Sequence, residues 1–144
     1  MFFGAVDACT KIQPLDLNPS LKRLLTNAVV ESALLHARTL CAIFLNEGRK
    51  SSDIRLESLI DPDALDPQQR RVIDDAVRKL DAAYGEESDQ KSPRFIINSM
   101  VMHPNYRRGD HGRYDDVVNQ LLSPIRAVVT ALEALVSKRF RPIE

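Results

Sequence analysis

Three polar side chains interrupt the apolar stretch at residues 31–40, which reads ESALLHARTL. Glu31 and Arg38 are seven residues apart, which in an α-helix leaves them about 20° from the same line along the helix surface. A lone buried charge costs several kcal/mol, so each must find a partner or reach solvent. Three interpretations follow: a structural ion-pair network, a binding pocket that opens onto the bundle, or exposure at a gap in the packing. His36 is equally ambiguous, although a single histidine inside a helix is more typical of a satisfied core residue than of a ligand or base.

A second group of polar residues follows an apolar helix in INSMVMHPNYRRGDHGR, residues 97–113. His103 ends that helix, where the helix dipole favours the protonated imidazole while nearby arginines favour the neutral form that can act as a base. The guanidinium groups of Arg107 and Arg108 could hold a phosphate, and Tyr106 offers a face on which a base can stack. The alternative is a solvated loop whose positive charge is offset by carboxylates at Asp110, Asp115 and Asp116.

Other kinds of site have little support in the sequence. The three histidines, His36, His103 and His111, lack the spacing of metal ligands, and no GxSxG, Walker or GxGxxG motif is present. Neither a metal nor a cofactor is therefore expected. The chain has 20 basic and 20 acidic residues, so its formal net charge of zero gives no global field for DNA or for an anionic membrane.

Cysteine use and the first residues bear on the compartment. Cys9 and Cys41 are far apart and have no CxxC-type partner, so a reduced, cytoplasmic setting is expected rather than a disulfide scaffold or a zinc site. The opening stretch, MFFGAVDACTKIQP, has no basic leader, and Asp7 interrupts its short apolar run. A membrane-spanning helix needs roughly 20 apolar residues, so no membrane partner is expected.

Capping signals and apolar periodicity predict four long helices and one short one. The long helices are expected at residues 18–46, 66–85, 92–103 and 113–139, and the short one at residues 54–60. Polar caps followed by proline begin the first three, at Asn18-Pro19, Asp66-Pro67 and Ser92-Pro93. Gly48 and Gly85 are expected to end the first two. Pro124 lies inside the last helix and should kink it, because the apolar period continues through the proline.

The first two long helices differ in their surface patterns. The helix that contains Glu31 is apolar nearly all round after residue 28, which is typical of a central helix packed by several neighbours. The next is amphipathic, and Gln69 is placed to complete a capping box with Asp66. Its apolar stripe is expected at Val72, Ile73, Ala76, Val77, Leu80 and Tyr84, and its solvent face should carry the ion pairs Asp74–Arg78 and Asp75–Lys79.

These elements predict an all-α protein. No segment shows the sustained period of two residues that a strand requires, and the helices have short connections. A chain of 144 residues is long enough for one domain with a single core. We therefore expect a four-helix bundle at residues 18–144 with one short extra helix, preceded by an N-terminal extension at residues 1–17.

Two blocks of the sequence resemble a known family. The first, ESALLHARTLCAIF, is similar to the pattern E-S-x-x-x-H-A-R-x-L-x-x-F, with the aromatic residue shifted one place to Phe44. The second is similar to I-N-x-x-x-x-H-x-x-Y-x-R and is matched by Ile97, Asn98, His103, Tyr106 and Arg108. Both patterns resemble small bacterial helical proteins related to the HEPN (higher eukaryotes and prokaryotes nucleotide-binding) superfamily.

The resemblance implies either a binding module or a nuclease. Active HEPN proteins are metal-independent ribonucleases with an Arg-x4–6-His motif, often completed across a homodimer, in which histidine moves the 2′-hydroxyl proton and arginine holds the phosphate. His103 matches the histidine, but residues 96–98, where the arginine would stand, are Ile-Ile-Asn. Arg94 is nine residues from His103, about 180° round an ideal helix. The first interpretation is thus a HEPN-like binding or regulatory module without catalysis; the alternative is a toxin-type ribonuclease that uses His103 with an arginine from elsewhere, such as Arg38 or Arg107.

Two further expectations concern partners and contacts. The apolar surface of the central and last helices exceeds what a four-helix monomer easily buries, so a homodimer is expected. RNA or a nucleotide is the other partner considered, the nucleotide through Arg38 and the loop at residues 106–113. Because polar residues in two apolar helices can satisfy one another, Glu31, His36 and Arg38 are expected to face the segment from Asn98 to His103 and form one network.

Overall fold

The computed structural model describes residues 1–47, 53–61, 63, 65–101 and 112–136 of the chain. Within these ranges the protein is helical and contains no strand, so the all-α prediction is confirmed. Its α-helices are α1 (Phe2–Ile12), α2 (Pro19–Phe44), α3 (Leu56–Leu59), α4 (Pro67–Tyr84), α5 (Pro93–Ile96) and α6 (Gly112–Val136), and a π-helix, Ile97–Val101, continues α5. No helix in these ranges is long and apolar enough to cross a membrane.

Helix α1 lies in the stretch for which no helix was predicted, residues 1–17. It packs along α2 and contributes the buried Phe2 to the common core. The guanidinium of Arg126 on α6 lies 5.2 Å above the ring of Phe3, a cation–π contact. Lys22 donates to the carbonyl oxygens of Gln13 and Leu15 just after the helix. The N-terminal extension is therefore packed against the bundle on both α2 and α6.

Helix α2 begins where the sequence predicts and ends slightly earlier. Asn18 accepts a hydrogen bond from the Ser20 amide at 2.9 Å, and proline occupies the first turn. The helix stops at Phe44 rather than at Asn46 because Asn46 adopts a positive φ of 55°, a left-handed conformation that asparagine tolerates at helix ends. Its side chain accepts from the Leu56 amide at 3.0 Å, which ties α3 to α2. The predicted stop at Gly48 lies outside the described residues.

Helix α2 is not packed on all sides by the described chain. Its buried side chains share one face, at Val30, Ala33, Leu34, Ala37, Cys41 and Phe44. Four leucines on the opposite side are exposed: Leu21 at 45%, Leu24 at 64%, Leu25 at 37% and Leu35 at 43%. In the part after residue 28, which was expected to be packed all round, Leu35 therefore lies on an open surface that continues the one formed by Leu21, Leu24 and Leu25. The helices α1, α4 and α6 and the π-helix contact α2 on the side of its buried residues.

Helix α4 has the predicted caps, with two corrections to its faces. Asp66 accepts from the amides of Gln68 and Gln69, Gln69 returns a side-chain bond, and Gly85 follows the last turn. The apolar stripe is buried at Ile73, Ala76, Leu80 and Tyr84, but Val72 is 53% exposed. Asp75 pairs with both Arg78 and Lys79, so the expected Asp74–Arg78 pair is replaced by one at i,i+3. Hydrogen bonds from Lys79 and Arg78 lower the pKa of Asp75.

The third predicted helix changes its winding. Ser92 accepts from the Phe95 amide at 3.1 Å and Pro93 follows, as expected of a helix start. After one α-helical turn the backbone becomes π-helical over Ile97–Val101. Such segments are rare and occur frequently at functional sites. The predicted end at His103 lies outside the described residues.

Helix α6 completes the core. It packs against α4 and α2 and buries a stripe at Tyr114, Val117, Val118, Leu121, Ile125, Val128 and Leu132. Pro124 lies inside the helix, as predicted. The π-helix adds Ile97, which is fully buried. The core is therefore formed mainly by side chains of α2, α4, α6 and the π-helix, and the polar residues described next lie on these elements, on α5 and on the turns beside them.

Candidate functional site

A hydrogen bond joins the two sequence blocks that carry the family resemblance. Arg38 on α2 donates from Nε to Oδ1 of Asn98 on the π-helix at 3.0 Å, although the two residues are 60 positions apart. Asn98 donates in turn from Nδ2 to Oε1 of Glu87 at 3.3 Å. Arg38 and Asn98 are both half-buried. These three residues are called the Arg38–Asn98 cluster below.

A second polar group lies beside Tyr84. Arg94 on α5 forms an ion pair with Glu47, and both side chains are about three-quarters buried, at 23% and 26% exposure. The Arg94 guanidinium also lies 5.3 Å above the Tyr84 ring. An arginine held by a carboxylate and an aromatic face has both its charge and its flat surface satisfied.

Near these two groups lie Cys41 and Tyr84, whose pKa values are raised. Burial raises the pKa of the Cys41 thiol to about 12, and the nearby charge of Arg94 opposes this shift. Burial also raises the pKa of Tyr84, helped by Cys41 and Glu87 and opposed by Arg38. The phenol and the thiol are therefore uncharged at neutral pH, and Cys41 is not a thiolate nucleophile.

Alkylation should distinguish the buried thiol of Cys41 from the more exposed thiol of Cys9. At neutral to mildly alkaline pH, we expect iodoacetamide to leave Cys41 unmodified in the folded protein, because the side chain is buried and its thiolate is disfavoured. Cys9 is only partly buried and should react, although more slowly than a free thiol, because burial and Asp115 raise its pKa. Because the folded pKa of Cys41 lies above its ordinary value of 9.0, the native state should also lose stability as pH rises from about 9 toward 12.

Mass spectrometry counts the alkylated thiols. A Cys9→Ser variant isolates Cys41, which should be labelled only in guanidinium. Rapid labelling of this variant under native conditions would contradict the buried position of Cys41.

The remaining residues predicted for the site divide into two sets. Glu31 and His36 are half-buried on α2, and Glu31 lines a small cavity of about 30 Å³ with Tyr114 and Asp115 of α6. Among the described residues, Asn98 bonds to Arg38 and Glu87 rather than to Glu31 or His36. The other set lies outside the described residues: His103, Tyr106, Arg107 and Arg108. A single network that reaches His103 therefore stays a prediction.

The sequence prediction missed Glu47, Glu87 and the role of Arg94. The predicted angle of about 180° between Arg94 and His103 was calculated for an ideal α-helix. Because residues 97–101 between them are π-helical, that calculation does not apply. The ion pair of Arg94 with Glu47 gives the arginine a partner within the fold. One signal was present in the sequence: Arg94 is a charged residue between Pro93 and an apolar run, and such a residue needs a counter-ion when its neighbours are buried.

An open groove elsewhere has different chemistry. It has a volume of about 670 Å³, lies between α4 and α6, and is lined mainly by uncharged side chains. Its arginine, Arg126, already contacts Phe3. Across the described ranges, no group of three or more histidine, cysteine or acidic residues could hold a metal ion. Of the polar residues that the sequence singled out, the structure brings together Arg38 and Asn98.

Comparison with family models, with curated proteins and with solved structures finds no match to this chain.

Proposed function

We propose that the chain is a HEPN-like helical binding or regulatory module, a non-catalytic cytoplasmic homodimer that binds the phosphate groups of RNA or of a nucleotide. One observation carries the proposal: Arg38 donates to Asn98 at 3.0 Å. Arg38 belongs to the first block that resembles the family and Asn98 to the second. Their contact supports the proposal because the two blocks, which are far apart in the sequence, meet at one place in the fold. The bond also connects α2 to the π-helix, after which the segment with His103 begins.

The state of the described groups supports binding rather than catalysis. Arg94, which is the nearest arginine before His103 in the sequence, is neutralised by Glu47. Arg38 has its Nε fixed by Asn98. A ribonuclease of this kind needs an arginine aimed at the scissile phosphate and a histidine able to move a proton. Both arginines instead hold parts of the fold together.

The phosphate ligand is assigned to the residues that follow the π-helix. Arg107 and Arg108 offer bidentate guanidinium donors, and Tyr106 offers a stacking surface for a base. These three lie outside the described residues. The Arg38–Asn98 cluster supports this assignment because it fixes the helix from which that segment continues.

RNA should therefore bind without being cleaved. We expect a fluorescent single-stranded RNA in EDTA to bind the wild type, and the Arg107→Ala/Arg108→Ala variant to bind at least about tenfold more weakly, since each lost charge-assisted hydrogen bond is worth about 1.5–3 kcal/mol. A matched control, Arg23→Ala/Arg71→Ala, removes the same charge from exposed positions on α2 and α4 and should change the affinity less than about twofold. A nucleoside triphosphate as competitor separates recognition of phosphate from recognition of the RNA chain.

The same reactions distinguish the alternative enzyme. Products that end in 2′,3′-cyclic phosphate and disappear in a His103→Ala variant of unchanged melting temperature would replace the proposal with a metal-independent ribonuclease. Absence of binding to both RNA and the triphosphate, or equal binding by the two double variants, would refute the phosphate-binding proposal.

A further inference from the structure

The side of α2 that points away from the core has no charged residue. We call this surface the α2 outer face; it consists of Leu21, Leu24, Leu25, Ala28, Ser32, Leu35, Thr39 and Ala42. All are exposed or half-buried, and together they occupy a sector of about 100° along the helix. The hydroxyl of Thr39 donates to the carbonyl of Leu35 at 3.0 Å within the same helix, so its methyl group can face outward.

Solvent-facing sides of helices normally carry charges, and α4 of this protein does so. Its exposed positions include Arg70, Arg71, Asp74, Arg78 and Asp81. The α2 outer face differs from this pattern over the whole helix of 26 residues, which corresponds to a length of about 39 Å. An uncharged surface of this length on a helix is typical of an interface with another helix.

The spacing of these residues matches a paired helix. Residues 21, 25, 28, 32, 35, 39 and 42 alternate by steps of four and three, which is the repeat of the a and d positions in a left-handed helix pair. The side chains at these positions are uncharged and of unequal size: three leucines, two alanines, a serine and a threonine. A seam of this kind packs best when a large residue on one helix meets a small one on the other.

An antiparallel arrangement of two α2 helices produces that match. If a twofold axis crosses the pair near residues 33 and 34, residues whose numbers add up to 67 lie at the same level. Leu25 then faces the partner's Ala42, and Leu35 faces the partner's Ser32. In a parallel pair, Ser32 would meet the partner's Ser32 and Leu35 the partner's Leu35, so that large residues meet each other and small residues leave space.

Two charges flank the seam on one edge. Glu31 and Arg38 are half-buried, and within the described ranges neither forms an ion pair. They cannot pair with each other, because seven residues of helix separate them by about 10 Å. Glu31 also shares its small cavity with another carboxylate, Asp115, which makes a cation beside Glu31 more favourable.

The antiparallel pair brings these charges together across the twofold axis. Glu31 lies within about 3 Å of the level of the partner's Arg38 along the helix axes, and symmetry repeats the contact with the roles exchanged. The bond from Arg38 Nε to Asn98 leaves the two terminal nitrogens of the guanidinium to reach the partner. A parallel pair would instead place Glu31 near the partner's His36 and Arg38 near the partner's Ile43.

We propose that the α2 outer face is the interface of an antiparallel homodimer, in which Glu31 of each copy forms an ion pair with Arg38 of the other. The proposal deepens the homodimer of the proposed function and rests on that part of it, and it is independent of RNA or nucleotide binding. It also gives Arg38 a double role, because the side chain that Asn98 positions within one subunit contacts the second subunit.

Exchange of the two charges tests the orientation directly. Glu31→Arg and Arg38→Glu should each weaken self-association at least about tenfold, because each places two like-charged pairs in the dimer. When the two variants are mixed in equal amounts, opposite charges meet at both positions, and native mass spectrometry should detect a dimer with one copy of each. The double variant Glu31→Arg/Arg38→Glu should also regain the wild-type affinity in sedimentation experiments.

A further variant avoids the bond to Asn98. Leu35→Glu places a charge in the seam at a position that is exposed in the monomer, so the variant should fold but remain monomeric. The control is Val72→Glu at an exposed apolar position on α4, which should leave the dimer intact. A monomeric wild type at all concentrations would overturn the interface and also the homodimer of the proposed function. A wild-type dimer that Leu35→Glu leaves unchanged, or a mixture that forms no mixed dimer, would overturn this interface alone.

Discussion

Replacing Leu34 with alanine should lower the free energy of unfolding by about 3–4 kcal/mol. The same change at Leu35 should lower the free energy of unfolding of the monomer by less than about 1 kcal/mol. The two leucines are adjacent in α2 and share the same helix propensity, but Leu34 is fully buried and Leu35 is 43% exposed. At Leu34 the loss combines the transfer free energy of the removed methyl groups with the cavity left in the core. At Leu35 solvent fills the space.

Urea denaturation at high dilution, where any dimer dissociates, measures both values. Leu35→Ala provides the control for the helix itself, since the local effect of alanine is the same at both positions. At high protein concentration Leu35→Ala should become more harmful, because Leu35 faces the partner's Ser32 in the proposed dimer. Equal losses for the two variants at high dilution would mean that the chain itself covers both sides of α2, and the assignment of its outer face would then be wrong.

The sequence predicted those parts of the fold that depend on local chemistry. The helix starts after Asn18, Asp66 and Ser92 are set by a side-chain oxygen that accepts a backbone amide within three residues, so their neighbours in sequence suffice to locate them. The end of α4 at Tyr84, just before Gly85, is equally local. By contrast, the short helix α1 became recognisable only through its packing on α2 and α6, because short helices gain most of their stability from tertiary contacts.

Tertiary contacts also decide which side of α2 is buried, a question that the apolar periodicity of the sequence does not answer. The apolar pattern of α2 predicts that several sides are apolar, but it does not tell which side the bundle covers and which remains for a partner. The π-helix has no periodic signature in the sequence, and it invalidates the ideal-helix angle between Arg94 and His103.

The candidate site shows the same division. Arg38 and Asn98 were expected to meet because each is a polar residue in an apolar helix that needs a partner, and the structure contains that contact. Glu47 and Glu87 lie just beyond helix ends, where acidic residues are common and usually solvated. Their contacts with Arg94 and Asn98 depend on how three helices meet, which one sequence does not reveal.

The second large effect on stability is expected at Gly85. Gly85→Ala should lower the free energy of unfolding by about 2–3 kcal/mol, because the residue has φ of 73° and ψ of −172°, a region that is essentially restricted to glycine. An added Cβ would also lie 2.9 Å from Cβ of Ser92. Ser92 is buried and cannot move freely, since its hydroxyl donates to the Glu86 carbonyl at 2.6 Å and accepts from the Phe95 amide. The substitution therefore strains the turn and disturbs the cap of α5 together.

Gly4 provides a control of opposite sign. It lies inside α1 with no atom within 4 Å of an added Cβ, so Gly4→Ala should raise stability by about 0.5–1 kcal/mol through helix propensity. Chemical denaturation of the two variants and the wild type in parallel compares them. Gly85 lies in the turn between Tyr84 and Glu87, so strain there should expose Tyr84 to solvent and lower the pKa that burial raises. The difference in phenolate absorbance between the variant and the wild type during an alkaline titration reads this change, because the other two tyrosines are the same in both proteins. A Gly85→Ala variant as stable as the wild type would show that the turn adopts another conformation, and the placement of Glu87 beside Asn98 would lose its support.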